Sequence, residues 1–251
     1  MKVIILAAGC GTRLNKYTKD LPKTMLNVFG KTIIQHQVDL FKKLGFQEII
    51  IIKGYKAEKI NIEGTKSYIN KLYDTTNMVE SLFCAQEDLY GDVLISYGDI
   101  IFEQRIVEQI ITDKSDIGVV VDVAWKDYWK TRYGKIDFDT ESLTLNKKGN
   151  IIELGQDNPP LDKIDGRYVG LIKLTKSGCE KIKQIYLSAK LLYSGKVWLN
   201  NRPFEKVFMT DFIQEMINQN IEIKSIKIKK GWLEFDTNED YEMLDSLKNY
   251  L

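Results

Sequence analysis

The chain of 251 residues is 44% hydrophobic and 28% charged, the composition of an ordinary globular protein that can bury a full core. Its 36 lysines and arginines against 35 aspartates and glutamates leave a net charge of +1, which argues against a nucleic-acid partner or a membrane partner. Any phosphate binding therefore has to depend on a local group of cations.

The cysteines, Cys10, Cys84 and Cys179, are odd in number, far apart and without CxxC spacing. This pattern predicts free thiols in a reducing cytoplasm, and neither a disulfide framework nor a zinc site. No apolar run reaches the ~18 residues of a membrane span. The apolar segment 3–8 is shorter than the ~7–15 residues at the centre of an export signal, so we interpret it as the first strand.

The first half of the chain alternates strand and helix patterns. Residues 3–6 form a continuous apolar run, typical of a central strand. Apolar residues at helical spacing predict a helix over 32–44, and Gly45 supplies its end. A strand over 48–54 completes a βαβ unit, which implies a parallel sheet. The elements predicted next are a strand near 67–71, a helix over about 78–89, a strand over 92–99, a helix over 103–111 and a strand over 117–125.

The pattern changes in the second half. From Tyr133 to Leu174, short alternating runs separated by turn residues predict hairpins or a mixed sheet. Helices are predicted at 176–188 and about 204–219, followed by two strand-like segments and a terminal helix from about Glu239. Without repeats or linkers, we predict one α/β domain over 1–251. Its Rossmann-like mixed, mainly parallel sheet is flanked by helices, with a smaller strand-rich acceptor-binding part. The two halves, about 1–125 and about 126–251, share one cleft.

The loop after the first strand reads GCGTR and is followed by Pro22-Lys23. It lacks the third glycine of a dinucleotide turn, because Leu14 stands there, and GKT at 30–32 lacks the first glycine of a P-loop. Glycines let backbone N–H groups approach anionic oxygens, and Arg13 and Lys23 add charge that binds phosphate. These features favour a nucleoside triphosphate site over the alternative, a tight turn with surface cations.

The segment LAAGCGTR at 6–13, with Pro22-Lys23, resembles the signature of nucleotidyltransferases that make nucleoside-diphosphate sugars and related activated alcohols. The resemblance implies that the first half binds the nucleotide and the second the acceptor. It also implies that Arg13 meets the β and γ phosphates and that Lys23 contacts the α-phosphate, both as catalytic residues. The loop residues implied to bind base and triphosphate are Leu6, Ala7, Ala8, Gly9, Gly11 and Thr12.

Nucleotidyl transfer needs positive charge near the α-phosphate, usually Mg²⁺ on one or two carboxylates. Asp99 follows the predicted strand 92–99 at the end where α/β sheets hold ligands. The resemblance makes Asp99 a metal ligand, places the second ligand at Asp236 in GWLEFDTNEDY, and puts Gly98 at the nucleotide. The alternatives are a turn residue for Asp99 and a helix cap for Asp236, although Thr237 already begins a capping box.

YDTTNMVESLFCA (73–85) resembles a segment of cytidylyltransferases that act on phosphocholine and similar small acceptors. The resemblance implies nucleotide or acceptor contacts for Asn77 and Ser81. Asn77, with Glu80 three residues later, could instead cap a helix.

Two further segments resemble the acceptor side of the same branch. WKDYWKTRYGK (125–135) implies that Trp129 and its aromatic neighbours cover a substrate cation, unless they form a hydrophobic flap. FMTDFIQEMI implies an acceptor-side Asp211, which could instead cap a helix. The phosphocholine enzyme has aromatics after the glycine of its acceptor strand, whereas Gly170 is followed here by LIKL. An acceptor with its own carboxylate would need an arginine, and the candidates are Arg132, Arg167 and Arg202.

The sequence therefore predicts a Mg²⁺-dependent cytidylyltransferase that transfers CMP from CTP to a small phosphorylated or phosphonate zwitterion and releases pyrophosphate. Acceptors of the 2-aminoethylphosphonate, phosphoglutamine or phosphocholine type fit, with Trp129, Arg132 and Asp211 as acceptor contacts. The resemblance also implies a cytoplasmic enzyme that makes a cell-surface polysaccharide precursor. It is compatible with a homo-oligomer. The alternatives are a sugar-1-phosphate nucleotidyltransferase that uses UTP or dTTP, and a non-catalytic nucleotide sensor.

Overall fold

The computed structural model describes residues 1–251. Its strands are β1 Lys2–Ala7, β2 Asn27–Val28, β3 Lys31–Thr32, β4 Ile49–Lys53, β5 Lys66–Ile69, β6 Val93–Tyr97, β7 Ile100–Phe102, β8 Ile117–Asp122, β9 Glu141–Leu145, β10 Ile151–Asp157, β11 Arg167–Leu174, β12 Lys224–Ile228 and β13 Trp232–Glu234. Its helices are α1 Asn15–Thr18, α2 Ile33–Lys43, α3 Met78–Phe83, α4 Gln104–Thr112, α5 Trp125–Tyr133, α6 Lys176–Tyr193, α7 Met209–Asn218, α8 Asn238–Glu242 and α9 Leu244–Leu247.

A seven-stranded sheet in the order β12-β8-β11-β6-β1-β4-β5 forms the centre of the molecule. Strand β1 pairs in parallel with β4 and β6, and β4 with β5, as the predicted βαβ unit requires. Strand β11 is antiparallel to both of its neighbours, β6 and β8. The predicted fold class, a mixed and mainly parallel sheet flanked by helices, is confirmed.

Alternate residues of β1 face two separate cores. Val3 and Ile5 pack on one face of the sheet with α2, α4 and α5. Ile4 and Leu6 pack on the other face with α3, α6 and α7. Because both faces are covered by helices, the strand is apolar from Val3 to Ala7, which explains its continuous hydrophobic run.

In addition to the short β2–β3 pair, two antiparallel pairs lie beside the main sheet. The predicted hairpin in the second half forms between β9 and β10, where Glu141 lies opposite Asp157. Strand β13 pairs with β7, with Trp232 opposite Phe102 and Glu234 opposite Ile100. The second pair joins a segment near the chain end to the segment that directly follows β6.

Several predicted boundaries differ from the structure. The strand predicted over 117–125 ends at Asp122, whose carboxylate accepts bonds from the Ala124 nitrogen (2.8 Å) and the Trp232 indole (3.0 Å). Helix α5 occupies the segment for which the sequence also allows a hydrophobic flap. The segment YGKIDF, within the region predicted to form hairpins, forms no strand. The helix predicted over 78–89 ends at Phe83, whereas α6 continues to Tyr193. No helix combines the length and the hydropathy that a bilayer crossing requires.

Candidate active site

The loop that follows β1 depends on glycine at specific positions. Gly11 has a φ of +63°, and a Cβ there would lie 3.1 Å from the Cβ of Lys23. The Thr18 hydroxyl donates to the Gly11 carbonyl at 2.8 Å and holds the turn closed. A Cβ at Gly9 would meet no atom within 4 Å, so Gly9 faces open space. The loop therefore presents bare backbone to a cavity, as an anion-binding loop does.

Glycine is required at position 98 for a different reason, which is close backbone packing. A Cβ there would lie 2.7 Å from the Leu6 carbonyl oxygen and 3.1 Å from the Ala7 Cβ. The Gly98 nitrogen donates to that same Leu6 oxygen at 2.9 Å. Glycine lets the turn after β6 pack directly against the end of β1.

A first cavity lies over the end of β1 and is bounded on its other side by α3. Its lining includes eight of the residues predicted to bind the nucleotide, which are Leu6, Ala7, Ala8, Gly9, Gly11, Asn77, Ser81 and Gly98. Thr12, the ninth, lines a second, adjoining cavity. Tyr73 and Thr76 complete one wall of the first cavity.

The second cavity opens toward the β9–β10 hairpin and the start of β11. Its lining carries both predicted catalytic cations, Arg13 and Lys23, and both predicted metal ligands, Asp99 and Asp236. Lys23 and Asp99 also line the first cavity. The residues that the two cavities share are Gly11, Lys23, Met78, Tyr97 and Asp99.

Lys23 lies between the two aspartates that the sequence predicts as metal ligands. Its Nζ is 2.5 Å from Asp99 Oδ2 and 2.5 Å from Asp236 Oδ1, and all three side chains are at most 17% exposed. Burial lowers the pKa of Lys23, but the charges of Asp236 and Asp99 outweigh it and raise the pKa above its usual range. The ammonium group therefore stays charged at the junction of the cavities.

Arg13 binds the other oxygen of Asp236. Its Nη2 is 2.9 Å from Asp236 Oδ2, and its Nη1 is 3.3 Å from Asp139 Oδ2. Burial acts to raise the pKa of the Asp236 carboxyl, but Lys23 and Arg13 outweigh it and lower that pKa to about 2. Asp236 is therefore an anion held between two cations.

The pairing of β13 with β7 brings the two aspartates together. Asp99 occupies the turn between β6 and β7, and its carbonyl accepts a 3.0 Å hydrogen bond from the Phe235 nitrogen. The next residue, Asp236, donates its backbone N–H to Asp240 Oδ2 at 2.9 Å. The capping box of α8 is formed by Thr237 and Asp240, so the carboxylate of Asp236 is free of that task.

Asp99 and Asp236 fit a Mg²⁺ ion by the chemistry of their donor atoms. Two carboxylates converge on one cation, the Lys23 ammonium, beside a loop of the anion-binding type. No group of three or more His, Cys, Asp or Glu side chains is arranged to hold a metal. Mg²⁺ commonly takes one or two carboxylates and completes its shell with phosphate oxygens and water, which this pair would allow.

A match to a protein-family model identifies the family of this chain. The family model of the MobA-like NTP transferase domain matches residues 3–137, which is more than half of the chain. The chain belongs to the MobA-like NTP transferase family. The match ends after α5, so the family model covers β1, the loop with Arg13 and Lys23, and the turn with Asp99.

Two relatives of this NTP transferase are similar in sequence. The CTP:phosphoglutamine cytidylyltransferase of Campylobacter jejuni is 34% identical over 258 residues, which cover 97% of this chain and 98% of that protein. The choline-phosphate cytidylyltransferase of Streptococcus pneumoniae is 30% identical over 171 residues, covering 65% of this chain and 73% of that one.

Two solved structures share the fold. The CTP:phosphocholine cytidylyltransferase of Streptococcus pneumoniae superposes with a TM-score of 0.73 at 20% identity, covering 98% of each chain. The inositol-1-phosphate CTP transferase of T. maritima gives a TM-score of 0.71 at 19% identity, covering 98% of this chain and 96% of that one.

Asn77 and Ser81 of the NTP transferase have local partners as well as a place in the cavity wall. Asn77 Oδ1 accepts from the Met78 nitrogen at 2.8 Å at the start of α3, as the capping alternative requires. The Ser81 hydroxyl accepts from Asn70 Nδ2 at 2.9 Å. Their nucleotide contacts stay a prediction.

The structure corrects the placement of Trp129. The ring is fully buried in the core, and its Nε1 donates to the Phe138 carbonyl at 2.8 Å. The guanidinium of Arg167 lies 3.9 Å from the ring centroid. Trp129 does not line the second cavity, so the structure gives it the surroundings of the hydrophobic alternative and no place on the wall of the predicted acceptor site.

Arg132 is also placed differently from the prediction. Its side chain is 0% exposed, its Nε and Nη2 each donate to Asp240 at 2.7 Å, and its Nη1 donates to Glu234. These two carboxylates accept from all three nitrogens of the guanidinium, and Arg132 does not line either cavity. It cannot reach an acceptor without leaving a buried network, which would leave charges unpaired.

Asp211 helps to cap α7 from the third position of the helix, whereas the N-cap residue itself is Phe208. Its Oδ2 accepts from the Phe208 nitrogen at 3.0 Å at the start of α7, and Arg202 Nη1 lies 3.2 Å from its carboxylate. The residue is 2% exposed and lies outside the cavity lining, whereas Phe208 and Thr210 line the cavity. Asp211 thus positions the segment that contributes to the wall.

Several acidic residues of the second cavity could not be recognised from the sequence. Asp139, Glu141 and Asp157 belong to no motif, and they reach the cavity because the β9–β10 hairpin folds over it. A hairpin pattern alone predicts the strands but not which residues face a distant loop. Glu234, which precedes the predicted metal ligand by two positions, also lines this cavity.

Proposed function

We propose that this chain is a cytidylyltransferase, which transfers CMP from CTP to a small zwitterion with a phosphate or phosphonate group and releases pyrophosphate. The observation that carries the proposal is that Lys23 and Asp99 line both cavities, so a nucleotide in one and an acceptor in the other would meet at Lys23. The relatives from Campylobacter jejuni and Streptococcus pneumoniae, both cytidylyltransferases by name, support cytidine as the base.

The reaction joins two phosphorus centres. An oxygen of the acceptor's phosphate or phosphonate attacks the α-phosphorus of CTP and forms a new P–O bond. The bond from the α-phosphorus to the oxygen that bridges to the β-phosphorus breaks, and pyrophosphate leaves with the electron pair. The nucleophile is already an anion, so no side chain has to remove a proton. His36, the single histidine, bonds to the Val28 carbonyl at 2.6 Å and lines neither cavity.

Positioning and charge neutralisation are what the residues of the site would contribute. Lys23 would donate to the α-phosphate, where negative charge increases in the transition state. Arg13 would face the phosphates that leave, and the bare backbone at Gly9 would let them approach closely. Asp99 and Asp236 would hold a Mg²⁺ ion, which supplies positive charge at the α-phosphate and the pyrophosphate.

A pyrophosphate-release assay tests the proposal. CTP, UTP, dTTP, ATP and GTP are each combined with phosphocholine, 2-aminoethylphosphonate, phosphorylated glutamine and glucose 1-phosphate. We expect turnover with CTP and at least one zwitterion. Equal turnover of UTP or dTTP with the sugar phosphate would establish the sugar-1-phosphate alternative instead. CTP binding by calorimetry without pyrophosphate release from any pair would indicate a nucleotide sensor.

A further inference from the structure

Arg167 stands at the start of β11 on the wall of the second cavity. Its guanidinium stacks on Trp129 at 3.9 Å, and its Nη2 donates to the Asp139 carbonyl at 3.3 Å. Its Nε and Nη1 are buried and have no hydrogen-bond partner. A buried cation with unmade hydrogen bonds is costly, so this side chain lacks an anion.

Arg132 shows what a satisfied arginine looks like in the same region. Its guanidinium lies 4.8 Å from the centroid of the same Trp129 ring that Arg167 stacks on. Its Nε and both Nη atoms donate hydrogen bonds to Asp240 and Glu234. The fold thus supplies carboxylates to one of two neighbouring arginines and leaves the other without them. The difference marks Arg167 as the arginine whose partner comes from outside the chain.

Glu141 is an acidic residue on the same cavity wall as Arg167. It lies opposite Asp157 across the β9–β10 pair, and two like charges opposite each other destabilise a strand pair. Burial raises the pKa of the Glu141 carboxyl, and Arg167 opposes that rise from nearby. The two side chains are close enough for their charges to interact, but no ion pair joins them. An ammonium group at Glu141 would relieve the repulsion from Asp157.

Asp139 contacts both Arg167 and Arg13, one of the cations predicted to bind phosphate. Its carboxylate bonds Arg13, and its carbonyl accepts from Arg167. Arg13 and Lys23 both bind Asp236, so the cations for phosphate are grouped there. Arg167 is therefore a separate cation on the wall of the same cavity, joined to that group through Asp139.

We propose that the acceptor carries a carboxylate and an ammonium group besides its reacting phosphate, and that Arg167 binds the carboxylate while Glu141, with Asp157, faces the ammonium group. The inference rests on the proposed function and deepens it, because it replaces a general zwitterion with a phosphorylated amino acid. Arg167 is then a specificity-determining residue, since an acceptor without the carboxylate leaves its guanidinium unpaired.

The test uses acceptors that differ in one group. Phosphorylated glutamine, its decarboxylated analogue and its deaminated analogue are each assayed with CTP by pyrophosphate release, using the wild-type chain, Arg167→Gln and Glu141→Gln. We expect wild-type kcat/KM to fall roughly 10- to 100-fold for either analogue, the size of a lost hydrogen bond to a charged group. Arg167→Gln should raise KM for phosphorylated glutamine by a similar factor, and leave KM for CTP and for the decarboxylated analogue within about twofold.

Glu141→Gln should remove the preference for the ammonium group and keep the preference for the carboxylate. The matched control is Arg105→Gln, an exposed arginine that pairs with Glu103 away from both cavities and should change nothing. If Arg167→Gln fails to fold, Arg167→Lys keeps the charge and should raise the same KM by a smaller factor. The wild-type comparison of the three acceptors stands independently of every variant.

Equal wild-type kcat/KM for all three acceptors overturns the inference and leaves the proposed function standing. An equal loss on every acceptor in Arg167→Gln also overturns it, because the arginine would then serve the phosphate or the cavity wall. Failure of every phosphorylated or phosphonate zwitterion to release pyrophosphate from CTP is the distinct result that rejects the proposed function itself.

Discussion

The backbone nitrogen of Phe235 donates a 3.0 Å hydrogen bond to the carbonyl oxygen of Asp99. This bond extends the β7–β13 pair by one step and joins the turn after β6 to the segment that begins α8. Because Asp236 is the next residue, its carboxylate comes to the same Lys23 ammonium as that of Asp99, at 2.5 Å from each. The four charged groups of the proposed reaction centre, with Arg13 included, therefore depend on a pairing between distant parts of the chain.

Lys23→Ala tests the charge at the junction of the cavities. We expect kcat to fall about 100- to 1,000-fold, as for removal of one preorganised donor, with a smaller change in KM for CTP. Pyrophosphate release under saturating substrates measures it. The matched control is Lys16→Ala, since Lys16 is exposed and pairs with Glu242. A near-wild-type kcat in Lys23→Ala would mean that the lysine only neutralises the two aspartates.

Asp99→Asn and Asp236→Asn test the proposed Mg²⁺ site. Each change keeps the shape and removes one charge, so we expect the Mg²⁺ midpoint of turnover to rise and activity to recover partly at high Mg²⁺. Since the two residues act on one ion, the double variant should lose less than the sum of the singles.

A helix-cap variant separates metal binding from stability. Thr237 caps α8 beside Asp236, and Thr237→Ala should lower the free energy of unfolding by about 1 kcal/mol without moving the Mg²⁺ midpoint. An unchanged midpoint in both aspartate variants means that the metal site is elsewhere.

Alanine at Gly9 should change the KM for CTP, whereas alanine at Gly98 should change the thermal stability. A Cβ at Gly9 meets no atom within 4 Å, so Gly9→Ala should keep the melting temperature and raise KM for CTP by obstructing the phosphates. A Cβ at Gly98 lies 2.7 Å from the Leu6 oxygen, so Gly98→Ala should lower the melting temperature. Thermal unfolding and CTP titration of both variants decide it. Unchanged KM for CTP in a folded Gly9→Ala would contradict nucleotide binding at this loop.

The acid limb of stability should depend on Asp236. Its carboxyl pKa is about 2 in the folded chain, below the usual value, because Lys23 and Arg13 outweigh burial. The unfolded chain therefore binds a proton first as pH falls, and the stabilisation present above about pH 4 is lost between about pH 4 and pH 2. We expect a loss of about 2 kcal/mol over that window, measured by denaturant unfolding.

Asp236→Asn should flatten that part of the stability profile, and Asp20→Asn is the control. Asp20 is 76% exposed and lies in a surface pair with Lys56, so its removal should leave the slope unchanged. A wild-type slope that persists in Asp236→Asn would assign the acid limb to other carboxylates.

The residues of the local motifs were recognisable before the fold was known. The apolar run of β1, the glycines after it and the βαβ unit follow from hydrophobic periodicity and loop chemistry, which act between neighbours in sequence. These features need no knowledge of long-range contacts. Asp99 and Asp236 do lie together, but through the long-range antiparallel pairing of β13 with β7 and not at a shared edge of parallel strands.

Which of the remaining charged and aromatic residues face the cavities depends on contacts between distant segments of the chain. Trp129 and Arg132 carry the residue types of an acceptor site, yet helix α5 turns them into the core and onto Asp240 and Glu234. Arg167 was one of three candidate arginines by residue type and Glu141 belongs to no motif, but the insertion of β11 between β6 and β8 and the fold of the hairpin bring both to the cavity wall. A residue's type sets what it can bind, whereas its burial depends on packing between distant segments, which local patterns do not encode.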